Sequence, residues 1–176
     1  MTDVLTVAGS WMLALVFAAA AHHKLAEPQR FAASLAAYRL VPEGWLGVAS
    51  GVATALEVII VCLLLIAAPA GAALAAVVLL AYGVAITVNV ARGRTHIDCG
   101  CGDEPTPVSW HAVVRNLILS AVAIAVATQA TPVVQGIAAV LVAAASAGTG
   151  YGLYRCAEEL LANRGRHQRL WQGATA

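Results

Sequence analysis

Five long runs built almost wholly from Ala, Val, Leu and Ile decide what this chain can fold into. A helix rises 1.5 Å per residue and needs about 20 apolar residues to cross the hydrocarbon core of a bilayer. The stretches Val4–Leu25, Trp45–Ala68, Gly71–Ala91, Trp110–Ala130 and Val133–Tyr154 all meet that requirement. The charge content agrees, since 11% of the 176 residues are charged and 61% are hydrophobic, whereas soluble domains carry about 25% charge. A water-soluble fold with so little charge has no means of covering its surface. The expected class is therefore an all-α polytopic membrane bundle with four core transmembrane helices plus a fifth. Residues 1–161 form the single bundle, and 162–176 a basic C-terminal tail. The net charge of +1 offers nothing to nucleic acid.

Punctuation between the runs sets the connections. "AAPAG" at 67–71 and "QATP" at 129–132 place proline where it disfavours helical geometry in the preceding residue, and both predict tight hairpins. "AAAA" at 18–21 resembles a signal-peptide cleavage site, but only Asp3 precedes the run as a charge, so the expectation is an uncleaved first span. After that span, Pro28 suits a first helical turn. Phe31, Leu35 and Tyr38 then recur at helical spacing. They predict a short interfacial helix over about 28–40, ended before Pro42. Trp45 and Trp110 open spans two and four, as an aromatic belt requires.

The ten Lys and Arg residues are distributed one-sidedly. With five spans, the connections 22–44 and 92–109 and the C-terminal tail lie on one side, which holds nine of them, with Arg115 just inside span four. The positive-inside rule then predicts a multi-pass protein of a bacterial inner-membrane type of cell membrane, N-terminus out and C-terminus in. Gly148 and Gly152, four apart in span five, allow close helix approach. The primary expectation is packing within the bundle, with a homo-oligomer face as the alternative.

A polar group inside a span is costly and marks a functional hypothesis by default. Glu57 lies twelve residues beyond Trp45, about 18 Å into the membrane. It is protonated or paired there, with Lys24 and Arg115 the available cations. A pair with Lys24 requires that side chain to reach inward. Asn89, His111, Arg115 and Asn116 fall in the cytoplasmic third of spans three and four. His22 and His23 end span one at that level, and Cys156 follows span five. Cys62, alone in an apolar helix, reads as a small hydrophobe.

The connection 92–109 carries Cys99-Gly100-Cys101. Two α-carbons one residue apart are separated by at most about 7 Å, so a small and strained disulfide ring can close. Arg92, Arg94 and Arg115 favour the thiolate, while Asp98, Asp103 and Glu104 oppose it. A metal site is the second reading, with His96, Cys99, Cys101 and an acid as ligands and His22 and His23 nearby. An inert pair is the third. The residues by themselves leave all three open.

The run "HKLAEPQRFAASLAAYRLVPEGW" (23–45), the "LE" of span two and "RGRTHIDCGCGDEPTPVSWHAVVRNLIL" (92–119) together resemble the MauE branch of the DoxX-like redox-associated membrane proteins. The likeness covers about residues 10–130. That family often has an aromatic in "CGCFG", where this chain continues Gly102-Asp103. The resemblance implies a helical bundle that assists thiol–disulfide chemistry in methylamine utilisation, with a thioredoxin-like protein as partner. Carried over by position, Cys99 and Cys101 would be the redox pair. Lys24, Glu57, Arg115 and Asn116 would be the polar positions of the bundle, and a quinone between the helices is admitted without a sequence signature. Cys156 is then a candidate third thiol on the same side, and Arg115 and His111 are expected to tune thiolate formation. The clients implied by the resemblance lie outside the cytoplasm, whereas the charge count puts the pair inside. A metal-binding or metal-transport protein and a non-catalytic accessory subunit are the rival functions.

Overall fold

The computed structural model of the chain describes residues 2–95, 97–98, 108–130 and 136–174. Six helices follow one another: α1 (Thr2–Ala26), α2 (Pro28–Tyr38), α3 (Leu46–Ile66), α4 (Ala68–Ala91), α5 (Trp110–Ala127) and α6 (Ile137–Ala174). A short 3-10 turn, Glu43–Trp45, leads into α3. All but α2 are long and apolar enough to span a membrane, and the described residues contain no other such helix. The protein is a polytopic membrane helical bundle, with α2 as the short interfacial helix.

Helices α1, α3, α4 and α5 form the core. Leu13, Phe17, Ile60, Leu64, Leu79 and Leu119 are its large buried side chains. Small residues bring the backbones together. The α4–α5 contact is the most extensive of the bundle, with Ala72, Ala75 and Ala76 buried on α4 and Ala112 and Ala123 on α5. One residue, Ala67, joins α3 to α4. That tight reversal presses Gly71 onto the preceding helix, where a Cβ would come within 2.5 Å of the Leu64 nitrogen. Glycine is therefore required at this position.

The fifth span lies outside the four. α6 packs along α1, burying Ala143 and Ala147 and setting Gly150 against the Met12 sulfur. Gly148 and Gly152, expected to pack within the bundle, face open space instead. The register on α6 puts 143, 147 and 150 inward, at spacings of four and three, and turns the two chosen glycines away. α6 is also one helix through Ala174, so helical backbone continues through most of the stretch expected as a tail.

Helix α2 caps one end of the core. It begins at Pro28, whose missing N–H costs nothing in a first turn. It ends where Arg39 turns left-handed, at φ 51°. Its buried residues are Ser34 and Tyr38, with Phe31 and Leu35 half-buried on the same stripe. Trp45 and Trp110, 64% and 60% exposed, start α3 and α5 at the same end, the level of an aromatic belt.

Candidate functional site

The polar centre is the ion pair between Lys24 Nζ and Glu57 Oε1, both almost completely buried. Helix geometry explains how residues from different depths meet. Cα–Cβ bonds tilt toward a helix's own N-terminus. α1 and α3 run antiparallel, as the Ser10 Oγ bond to the Leu64 carbonyl near their other ends shows (2.7 Å). Lys24, in the last turn of α1, therefore leans into the bundle, and Glu57 leans back toward the capped end. The inward reach expected of Lys24 is what the structure contains.

Two aromatic side chains flank the pair. Tyr82 of α4 donates its hydroxyl to Glu57 Oε1 at 2.9 Å. The Lys24 ammonium sits 4.6 Å from the Phe31 ring centroid and 5.1 Å from that of Tyr82. Cation–π attraction of this kind adds about 0.5–2 kcal/mol, toward the upper end when water is excluded. Phe31 comes from α2, so the interfacial helix is itself tied to the buried charge.

Glu57, Tyr82, Arg115, Asn116 and Tyr154 line one small cavity of about 40 Å³. Arg115 Nη1 donates to Glu158 Oε2 of α6 at 2.7 Å, a half-buried ion pair that pins the peripheral helix to α5. Asn89 and Asn116 are buried, and each turns its amide back to the carbonyl four residues earlier, Ala85 (3.0 Å) and Ala112 (2.8 Å). Ser120 does likewise to Asn116 (2.7 Å). Asn89 Oδ1 is buried with no hydrogen-bond partner among the described residues.

Cys99, Cys101 and His96 lie outside the described residues. The chain on either side of the cysteines is firmly held. Ile97 and Val108 are buried, pack with Tyr38, Ile86 and Val113, and are joined by a Val108 N–H bond to the Ile97 carbonyl at 2.9 Å. Asp98, next to Cys99, pairs with Arg30 of α2 at 3.5 Å. The Arg30 guanidinium is held charged above its ordinary range, first by its hydrogen bond to Glu27 and also by Asp98.

The other expected residues are placed less centrally. His111 and His22 are exposed, and His23 is half-buried with its ring edge-on to that of His22, centroids 5.6 Å apart. Cys156 is exposed on α6, as is Cys62 on α3. Among the described residues no group of three or more His, Cys, Asp or Glu side chains is gathered as for a metal ion. Tyr82, Tyr154, Glu158 and the Arg30–Asp98 pair were not anticipated. Tyr82 carried a usable signal, because its hydroxyl in mid-span obeys the same rule that singled out Glu57. Glu158 lies beyond the expected end of span five, where a charge draws no notice.

A five-span helical bundle with a buried Lys–Glu–Tyr centre, capped by an interfacial helix that also grips the base of a cysteine-bearing segment, defines the class as a polytopic integral membrane protein. The family model for "Methylamine utilisation protein MauE" matches residues 2–129, and the chain belongs to the MauE family. It is 41% identical over 121 residues to the methylamine utilization protein MauE of Paracoccus denitrificans, covering 66% of this chain and 64% of that protein. It is 38% identical over 126 residues to the protein of that name from Methylophilus methylotrophus, covering 67% and 65%. The match to the Paracoccus versutus protein is 44% identical over 70 residues, covering 39% and 32%. The chain thus spans just under two thirds of the length of the first two relatives. No solved structure matches it.

Proposed function

We propose that this chain supports thiol–disulfide exchange in methylamine utilisation, through Cys99 and Cys101, with a thioredoxin-like protein as partner. The observation that carries the reading is the clasp at the base of the cysteine segment, Ile97 to Val108, steadied from α2 by Arg30 on Asp98. Two cysteines one residue apart on a fixed base suit exchange better than an idle surface connection would. The relatives' role in methylamine utilisation supplies the setting.

In the forward direction a thiolate of the pair attacks a partner disulfide, forming one mixed S–S bond and releasing the partner's first thiolate. The second cysteine of the pair then attacks that bond. The products are a Cys99–Cys101 disulfide and a reduced partner, and the reverse direction retraces the same steps. The Arg30–Asp98 pair offsets the nearest acid, which would otherwise oppose thiolate formation at Cys99. The orientation proposed is N-terminus out and C-terminus in, from the one-sided cations.

Thiol trapping of the purified protein tests the chemistry. Both thiols should resist alkylation after mild oxidant and recover after reductant. Full alkylation of both after oxidant refutes the reading. Normal growth on methylamine of a Cys99→Ser, Cys101→Ser variant would leave an accessory role, and stoichiometric metal lost in that variant would favour metal binding. Orientation is tested by an impermeant maleimide on intact cells in a Cys62→Ala, Cys156→Ala background. No labelling until the cells are permeabilised is expected, and labelling of intact cells overturns it.

A further inference from the structure

Four spans each bring polar side chains to the cavity of about 40 Å³. Glu57 comes from α3, Tyr82 from α4, Arg115 and Asn116 from α5, and Tyr154 from α6. Phe17 and Ala20 of α1 form part of its apolar wall. Tyr154 and Glu158 are four apart on α6 and so share a face. The Arg115–Glu158 pair therefore stands beside the cavity, one turn nearer the end of the bundle that carries α2.

Size and lining decide what such a space can hold. Void left by imperfect packing is lined by apolar side chains and stays dry. A water needs about 10–15 Å³ of space by this measure and two to four polar partners, so the cavity has room for about two or three waters. Its five polar side chains supply both donors and acceptors: a carboxylate, two phenols, a guanidinium and an amide. Side-chain exposure also rises outward from the centre, from 1% at Glu57 to 11% at Arg115 and 24% at Glu158. The polar groups thus form a graded series from the buried carboxylate toward the end of the bundle.

We propose that the cavity holds water and that Glu57 is a proton-binding site, exchanging its proton through that water with Glu158. A proton on the Glu158 carboxyl passes to a cavity water as that water gives one of its own to Glu57. One O–H bond breaks as the next forms, and the return retraces the same steps. The charged groups facing the route are Lys24 of α1, bonded to Glu57, and Arg115 of α5, bonded to Glu158. Tyr82 of α4 and Tyr154 of α6 add neutral hydroxyls, and α2 adds the Phe31 ring over Lys24. Ionisable groups within a span mark proton relays in other membrane proteins for the same reason: the apolar surroundings leave the proton no other carrier.

Hydroxyl-radical labelling in isotopically labelled water, on the chain in lipid nanodiscs, tests hydration. Phe17 is 2% exposed and lines the cavity, so it takes up labelled oxygen only from water beside it. Label on Phe17 is expected in the wild type, and its loss in Ala20→Val, whose added methyls occupy the cavity. An unlabelled Phe17 overturns the proposal, as does label retained in an Ala20→Val variant of wild-type helicity. Infrared spectroscopy of Lys24→Met tests the proton route, since a buried carboxylate that loses its cation is neutralised by a proton. The Glu57 carboxyl band is the one absent from Lys24→Met, Glu57→Gln. In deuterium oxide it should shift as fast as the bands of exposed carboxyls, and adding Ala20→Val or Tyr154→Phe should slow it. Tyr154→Phe keeps its ring on a peripheral helix, so it should fold even if Ala20→Val does not. A band that stays unshifted after the exposed carboxyls have exchanged overturns the route, and so does exchange that neither addition slows. Absence of any Glu57-dependent band at acidic pH overturns proton binding itself. None of these readouts involves Cys99 or Cys101, so they stand or fall apart from the thiol reading.

Discussion

Replacing Lys24 by Met removes the cation that allows Glu57 to remain charged in the centre of the bundle. Methionine keeps the unbranched shape of the lysine stem, so packing against Phe31 and Tyr82 is largely preserved and the effect is electrostatic. Glu57 is fully buried, and Tyr82 supplies it one hydrogen bond at 2.9 Å. Breaking a buried pair by deleting one partner costs about 3–5 kcal/mol, because the surviving charge is left uncompensated. A second route to the number agrees. The variant can fold by taking a proton onto Glu57, and neutralising an ordinary glutamate at pH 7 costs about 3.7 kcal/mol, at about 1.36 kcal/mol per pH unit above 4.3. The sign follows from linkage. The folded variant binds one more proton than the unfolded chain, so its stability falls as pH rises and recovers on acidification. Between pH 7 and pH 5 the recovery should be about 2.7 kcal/mol, beyond any change the wild type shows over that range. Unfolding by SDS in mixed micelles, followed by helical circular dichroism at several pH values, measures both quantities. The Lys24→Met, Glu57→Gln double variant should regain most of the loss, since replacing a whole buried pair is often neutral. A single variant within about 1 kcal/mol of wild type at pH 7, or one without pH dependence, would refute the assignment of a charged buried pair.

Three further outcomes are expected, the first two from the same assay. Gly71→Ala drives a methyl into the Leu63–Leu64 backbone, with contacts of 2.5–2.9 Å, and should cost at least about 1–3 kcal/mol, whereas Gly47→Ala, in open space, should be neutral or slightly stabilising. Asn89→Leu deletes a buried oxygen with no hydrogen-bond partner among the described residues, along with one local bond to Ala85. Its stability should therefore lie within about 1 kcal/mol of wild type, and a loss beyond 3 kcal/mol would reveal a partner for that oxygen. Glu158→Gln removes the negative charge that Arg115 meets at 2.7 Å. It should free α6 from α5, seen as faster proteolysis after α5 while α1–α5 keep their thermal midpoint.

The bundle was legible from the sequence because membrane crossing is a demand on length and apolarity, and both are written linearly in the chain. The ends of α1, α3, α4 and α5 fall within a few residues of expectation for that reason. The amphipathic stripe of α2 was equally readable, since Phe31, Leu35 and Tyr38 recur at the helical period, and Ser34 falls on the same face. What a linear reading could not supply was rotation. Gly148 and Gly152 have the spacing of a packing motif, but which face of α6 meets α1 depends on neighbours distant in sequence, and Gly150 occupies the contact instead. Partner choice was hidden for a related reason. Glu57 had two cations within reach in sequence terms. Lys24 takes it, and Arg115 engages a glutamate 43 residues later.

Helix α2 gives these separate observations a common cause. A connection between two spans needs only a few residues, yet this one is a helix held to the bundle at three points along its length. Arg30 reaches Asp98 beside the cysteine segment, Phe31 covers the Lys24 ammonium, and Tyr38 packs against Ile97 and Val108 at the clasp. A buried charge and the base of the cysteine-bearing connection are thereby fixed to the same helix. The Lys24–Glu57 pair and the clasp therefore share one support, α2, the first through Phe31 and the second through Tyr38 and Arg30.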